Sequence, residues 1–158
     1  MKRVLLWLSL AIAAFFVGRA AYRAFVGDRT KIDWLLAEEA AAFNEASMLT
    51  VMPNFAADFR DGTSGIDGQS LRGAVVWAWQ NRRDAEGNFA WRVDLPEGSG
   101  EVLIDGDAAT ATFPLHLSTE GGAVWELEVQ AELQKRDGRW WLTGSRHTTK
   151  AGKAPGLR

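Results

Sequence analysis

The chain has 158 residues and a mass of 17.4 kDa, a length that suits one domain of ordinary size. Its composition, with 47% hydrophobic residues, 24% charged residues, four prolines and no cysteine, excludes a disordered or collagen-like chain, disulfides, thiolate nucleophiles and cysteine-based zinc sites. The net charge of −2 combines basic ends, about +5 each over residues 1–32 and 138–158, with an acidic middle of about −12, which argues against nucleic acid as a partner.

An apolar segment comes first in the chain. Lys2 and Arg3 precede an uninterrupted apolar run over residues 4–18. Taken as one helix over residues 4–26, the segment is about 34 Å long, enough to span a hydrocarbon core of about 30 Å. We therefore predict a single-pass membrane anchor over residues 1–29, with the domain outside the cytoplasm. The alternative is a signal peptide, whose cleavage would leave a secreted or periplasmic protein.

Helical patterns follow the apolar segment. A capping box at residues 30–33 predicts the start of a helix whose apolar stripe continues to Pro53. A short helical turn is expected over residues 54–59. After a glycine-containing loop, Asp67 is placed to cap another helix over residues 69–83.

From residue 89 onward the period of the pattern falls to two. Asp137-Gly138 is a typical type I′ hairpin turn, and residues 150–158 are expected to form a basic, disordered tail. Helices that precede a meandering antiparallel sheet with one buried face predict an α+β domain over residues 30–149. Alternation of apolar and polar residues predicts strands within residues 89–94, 102–104, 109–118, 125–134 and 139–148.

Four short phrases occur in a recognisable order: Phe43-Asn44, residues 55–61, residues 104–108 and residues 137–140. Over about residues 31–149 this order resembles the nuclear transport factor two-like superfamily, which includes polyketide cyclase-like (SnoaL-like) proteins. The resemblance implies a cone: a curved antiparallel sheet packed against N-terminal helices, here preceded by one hydrophobic helix. A pocket lies between the helices and the concave sheet face, and many members dimerise through the sheet. Members include isomerases, dehydratases, hydrolases and non-catalytic binders.

Two acids are candidates for chemistry inside such a cone. Enzymes of the superfamily place a carboxylate or an Asp–His pair there, but the predicted concave face is apolar and neither histidine falls on it. Asp58 and Asp61 are the remaining acids near the pocket mouth. Asp58 is either a general base whose pKa is raised by burial, or a solvated carboxylate paired with Arg60 or Arg146.

Arg146 has an unusual predicted position. Counting back from the hairpin turn pairs it with Val129, which places it on the apolar face of the sheet. An arginine there could bind the carboxylate of a ligand through two hydrogen bonds. The alternative is an internal ion pair with Asp58 or Asp61, or a side chain that reaches solvent at the strand end.

Both histidines are predicted on the convex face. The expected register places His116 opposite Glu126 and His147 opposite Glu128. These four residues are suitable ligands for a divalent metal, but the histidines would be two strands apart, roughly 10 Å. Ordinary cross-strand pairs on a wet or dimerising face are the favoured interpretation. We predict no metal and no cofactor.

Aromatic residues could line the predicted pocket. Trp91, Trp125 and Phe113 are expected to point inward, with Trp79 near the mouth, either as packing or as the wall of a site for an apolar, planar ligand.

The sequence thus favours a membrane-tethered, non-catalytic domain that binds a small apolar or carboxylate-bearing molecule, or a partner. The alternatives are an isomerase, dehydratase or hydrolase that uses Asp58 or Asp61 as its base, and a structural module that homodimerises through the sheet.

Overall fold

The computed structural model describes residues 26–96, 100–122 and 124–154, and the chain divides into two units, residues 1–33 and 34–158. Nearly all of the expected membrane anchor lies outside the described residues. Within the described part, no helix is both long enough and apolar enough to cross a membrane. The elements are α1 (Asp28–Glu45), β1 (Phe55–Asp61), α2 (Gly68–Asn81), β2 (Trp91–Asp94), β3 (Glu101–Asp105), β4 (Ala108–Thr119), β5 (Val124–Arg136) and β6 (Arg139–Gly152).

The first helix starts earlier and ends earlier than its pattern predicts. It begins at Asp28 and ends at Glu45, well before Pro53. Ala46 has φ 50°, in the left-handed region, and its N–H bonds to the Phe43 carbonyl in a tightened last turn. The prediction fails because the apolar pattern continues into a loop, where Leu49 is 97% exposed.

A strand replaces the short helical turn that was predicted over residues 54–59. This strand, β1, pairs with β6 in parallel, with Asp61 opposite Ser145. The N–H of Gly62 donates to the carbonyl of Ser145 at 2.7 Å, and the N–H of Leu142 donates to the carbonyl of Asn54 at 2.9 Å. The helix prediction was wrong because this segment completes the edge of β6, so the sheet is mixed and not wholly antiparallel.

The second helix forms close to its predicted bounds. Asp67 is its N-cap, and the carboxylate accepts a hydrogen bond from the N–H of Ser70 at 2.8 Å, as predicted. Trp79 is only 2% exposed, and its indole N–H donates to the carbonyl of Phe43 at 3.0 Å. This bond joins α2 to α1.

The sheet is curved and unclosed, packs against helices and has the strand order β1-β6-β5-β4-β2, with β3 also paired to β4. The face that carries the buried residues Ala111, Ala131 and Leu133 is called the inner face, and the opposite one the outer face. Charged residues dominate the outer face of β5, so the predicted one-sided burial of that strand is confirmed.

A β-bulge in β6 changes which residues face inward. Leu133 pairs with Leu142, but the next pair is Glu132 with Gly144, so Thr143 is an extra residue. From Ser145 to Thr149, up to a second register shift, the side chains of β6 point to the face opposite to the one that a regular hairpin predicts.

Arg146 therefore lies on the outer face and not on the apolar one. It pairs with Gln130, and its side chain is 66% exposed and forms an ion pair with Glu132 at 3.5 Å. The prediction that Arg146 faces Val129 was wrong, because His147 occupies that position.

One side chain completes the free edge of β2. Asn44 of α1 donates from Nδ2 to the carbonyl of Val93 and accepts from the N–H of Val93 at its Oδ1, both at 2.8 Å. The strand β6 continues to Gly152 opposite Trp125, three residues into the stretch that was expected to be disordered.

Candidate functional site

Asp61 is a buried carboxylate at the end of β1. Its side chain is 7% exposed. Oδ2 accepts hydrogen bonds from the N–H of Ser64 at 2.8 Å and from its hydroxyl at 2.5 Å, and Oδ1 accepts one from the hydroxyl of Ser145 at 2.8 Å. Both oxygens therefore have partners, as a buried carboxylate requires.

These contacts keep Asp61 ionised. Burial raises the pKa of the Asp61 carboxyl, but the hydrogen bonds from Ser64 and Ser145 and the adjacent His147 outweigh it and hold the pKa below its usual value. Asp61 thus supplies a fixed negative charge, which is a weak proton acceptor but a good partner for a cation.

His147 lies beside Asp61 on the inner face. Its Nδ1 is 3.9 Å from Oδ1 of Asp61, and its side chain is 29% exposed. The imidazole packs edge-on against the ring of Trp125, with centroids 5.8 Å apart. The backbone N–H of His147 donates to the hydroxyl of Thr63 at 2.8 Å. The expectation that neither histidine reaches the inner face was wrong for His147, because of the bulge at Thr143.

Apolar side chains surround this pair on the inner face. Phe113 pairs with Val129 directly across the strands, and both are half-buried, as is Trp125. Trp91 also lies on the inner face, with the guanidinium of Arg82 5.7 Å from its ring centroid. The structure thus brings Phe113, Trp125 and Trp91 to the predicted face, while Trp79 is in the core.

Asp58 is placed differently from Asp61. It forms a two-pronged ion pair with Arg136, at 2.9 and 2.7 Å, on the exposed side of the molecule. The hydrogen bonds from Arg136 lower the pKa of Asp58, so the raised pKa of a buried base is not found, and its partner is neither Arg60 nor Arg146.

The four residues of the less favoured metal interpretation do not come together. His116 pairs with Glu126 as predicted, but Glu128 pairs with Thr148, and His147 is on the other face. Within the described residues, no group of three or more side chains could hold a metal ion.

The hydrogen-bond partners of Asp58 and Asp61 were not predicted from the sequence. Ser64 follows Asp61 by three residues, the spacing at which an aspartate side chain closes a turn, and this signal was available. Ser145 and Arg136 could not be assigned, because each bond joins strands far apart in the chain, over 84 and 78 residues.

No family model and no curated protein matches the chain. Solved structures do. A Nostoc punctiforme protein of unknown function with a cystatin-like fold is 17% identical, with a TM-score of 0.60 over 78% of this chain and 91% of that one. An NTF2-like protein from Cytophaga hutchinsonii is 11% identical (TM-score 0.60; 78% and 99% covered). A hexachlorocyclohexane dehydrochlorinase from Novosphingobium barchaimii is 14% identical (TM-score 0.59; 79% and 88% covered). The chain therefore has the nuclear transport factor two-like fold.

Proposed function

We propose that the inner face of the sheet binds a small apolar molecule and that residues 4–26 tether the domain to a membrane, on the side away from the cytoplasm. The observation that carries the binding proposal is the group of half-buried apolar side chains, Phe113, Trp125 and Val129, around the imidazole of His147. Such a surface offers apolar contact area and one polar group to orient a ligand. The tether rests on the apolar sequence alone.

The binding proposal is tested on the full chain in nonionic detergent, labelled with 5-fluorotryptophan. Indole, a neutral planar probe, is titrated while the fluorine resonance of Trp125 is followed; replacement of Trp125 by Phe assigns that resonance. We expect a saturable shift, and a weakening of about tenfold in Phe113→Ala, which removes a ring from the site.

The matched control is Leu103→Ala, which shortens an apolar side chain on β3 that is 62% exposed. This variant should bind indole as the parent does. The absence of a saturable shift at Trp125, or equal weakening in both variants, would contradict the proposal.

Proton-transfer catalysis is the second candidate, favoured by the proximity of His147 to the ionised Asp61. In this candidate His147 takes and returns the proton, with the negative charge of Asp61 beside its imidazole. Asp61 itself is a poor base, since its pKa is lowered.

The test is a panel of activated esters and α-deuterated ketones. Turnover that is lost in His147→Gln and kept in His116→Gln would support the catalytic candidate. Turnover that survives in His147→Gln would rule out this pair as the catalytic group.

A further inference from the structure

We infer that a groove beside β1 is a second binding site, for a small organic anion with an apolar body such as an aromatic carboxylate. The groove has a volume of about 600 Å³ and lies between β1, the first turns of α2 and the hairpin that joins β5 to β6. Phe55, Ala57, Arg72, Arg136 and Trp141 line it, and we call it the β1–α2 groove. Its lining contains none of the inner-face residues Phe113, Trp125, Val129 and His147, so it is a different site from the one proposed above.

Aromatic rings form the apolar wall of the β1–α2 groove. Phe55 packs edge-on against Phe59, with centroids 4.7 Å apart, and the guanidinium of Arg139 lies 4.3 Å from the ring centroid of Trp141. Both groove rings are thereby held in place while they stay half-buried. A rigid aromatic wall in a space of this volume suits a planar ligand of one or two rings.

The charge of the groove favours an anion. The positive charge of Arg136 is matched by Asp58, and its guanidinium also donates to Gln134, so Arg136 is fixed in position. Arg72 is exposed, and its guanidinium makes no hydrogen bond or ion pair with another residue in the described ranges. The groove therefore retains one unmatched positive charge. A guanidinium can grip a carboxylate through two parallel N–H···O bonds, so the charge and the aromatic wall together select an aromatic carboxylate.

The experiment is calorimetric titration of the full chain, in nonionic detergent, with 1-naphthoate. We expect saturable binding at one site, with affinity about tenfold lower in Arg72→Gln, which removes the unmatched charge. The uncharged probe 1-naphthamide should bind more weakly than 1-naphthoate to the parent protein.

Ala57, an exposed residue on the groove wall, offers a charge test of matched size. Ala57→Glu should weaken 1-naphthoate binding by repulsion, while Ala57→Gln, of nearly the same shape, should retain it. Both variants change an exposed strand position, so their folding can be compared directly by circular dichroism.

Two controls separate this site from others. Arg92→Gln removes an exposed arginine outside the groove, and Phe113→Ala alters the inner face; both should bind 1-naphthoate as the parent does. The proposal is overturned by a lack of saturable binding, by unchanged affinity in Arg72→Gln, or by equal losses in Arg72→Gln and Arg92→Gln.

Discussion

Asp61 and Asp58 show how environment decides the role of a carboxylate. Asp61 is buried and receives three hydrogen bonds, whereas Asp58 is exposed and bound to a single arginine. Both pKa values are lowered, yet only Asp61 lies next to a histidine on the inner face. Removing a buried charge whose hydrogen bonds are all formed lowers the stability of the folded state.

We expect Asp61→Asn to destabilise the protein by about 1–3 kcal/mol at pH 7, because charge-assisted hydrogen bonds are lost. The folded-state pKa of Asp61 is lower than the unfolded value, so its stabilisation is present above the unfolded pKa and is lost as the pH falls through the folded pKa. The difference in melting temperature between parent and variant, followed by circular dichroism, should therefore shrink below about pH 4.

Asp58→Asn is the comparison for this measurement. It breaks an ion pair whose partners are 40% and 61% exposed, and solvent-exposed pairs contribute little to stability. Its effect at pH 7 should be clearly smaller than that of Asp61→Asn. Equal effects would mean that burial does not strengthen the bonds of Asp61.

At the scale of elements, two glutamates join α1 to the start of β1. Glu39 accepts a hydrogen bond from the N–H of Asn54 at 2.7 Å, and Glu38 accepts one from the amide of Asn54 at 3.1 Å. Asn54 is 3% exposed and also accepts from Arg139 at 2.6 Å. Burial raises the pKa of Glu39 to about 7, although the bonds from Asn54 oppose the shift.

Glu39→Gln should remove a pH dependence of stability. Because the folded-state pKa of Glu39 is above its ordinary value of 4.5, the folded state binds the extra proton, and stability falls as the pH rises from 4.5 to about 7. The glutamine variant should be more stable than the parent at pH 8, by about 2 kcal/mol, since its side chain keeps some solvent contact. Thermal unfolding at pH 5 and pH 8 measures this, with the exposed Glu101→Gln as a control that should follow the parent.

The bulge in β6 makes a second prediction at this scale. Deletion of Thr143 should restore regular alternation and turn His147 away from Trp125. In the parent, His147→Gln should shift the fluorine resonance of 5-fluorotryptophan at position 125, because the rings are in contact. In the deletion variant the same replacement should leave that resonance unchanged. A persisting shift would show that His147 still contacts Trp125 and that the strand register has changed elsewhere.

The bulge also explains what the sequence could not predict. The positions of β2 to β6, the Asp137-Gly138 turn and the Asp67 cap follow from local patterns and are found in the structure, whereas β1 was predicted as a helical turn. An extra residue in a strand leaves no local signal when its side chain, here Thr143, suits a strand. The faces on which Arg146 and His147 lie both depend on that one residue. The candidate site therefore could not be predicted from the sequence.

At the scale of the whole molecule, the proposed tether makes a direct prediction. The full chain should remain in the membrane pellet after alkaline carbonate extraction. Its intact mass should equal that of a chain that starts at Met1. Replacing Leu8 and Ile12 by Arg should release it, because charges at the centre of an apolar helix oppose insertion. Leu8→Ala is the matched control and should stay in the pellet. An intact mass that matches a chain starting near residue 21 would instead show that a signal peptide is cleaved.

Homodimerisation through the outer face remains a third proposal. Glu128 bonds Lys150 at 3.0 Å there, and Glu126 lies two residues earlier on the same face. Changing Glu126 and Glu128 to Lys should dissociate such a dimer through like-charge repulsion, as measured by native mass spectrometry. An unchanged oligomeric state would exclude this face as the contact.

The bond between Asn44 and Val93 bears on self-association of another kind. A free strand edge is a template on which a further chain can add, and repeated addition leads to fibrils. By occupying both backbone groups of Val93, the Asn44 amide withdraws them from any incoming strand. Losing that amide would expose the β2 edge to cross-β growth, so the first harm from such a substitution would be aggregation of an otherwise folded protein.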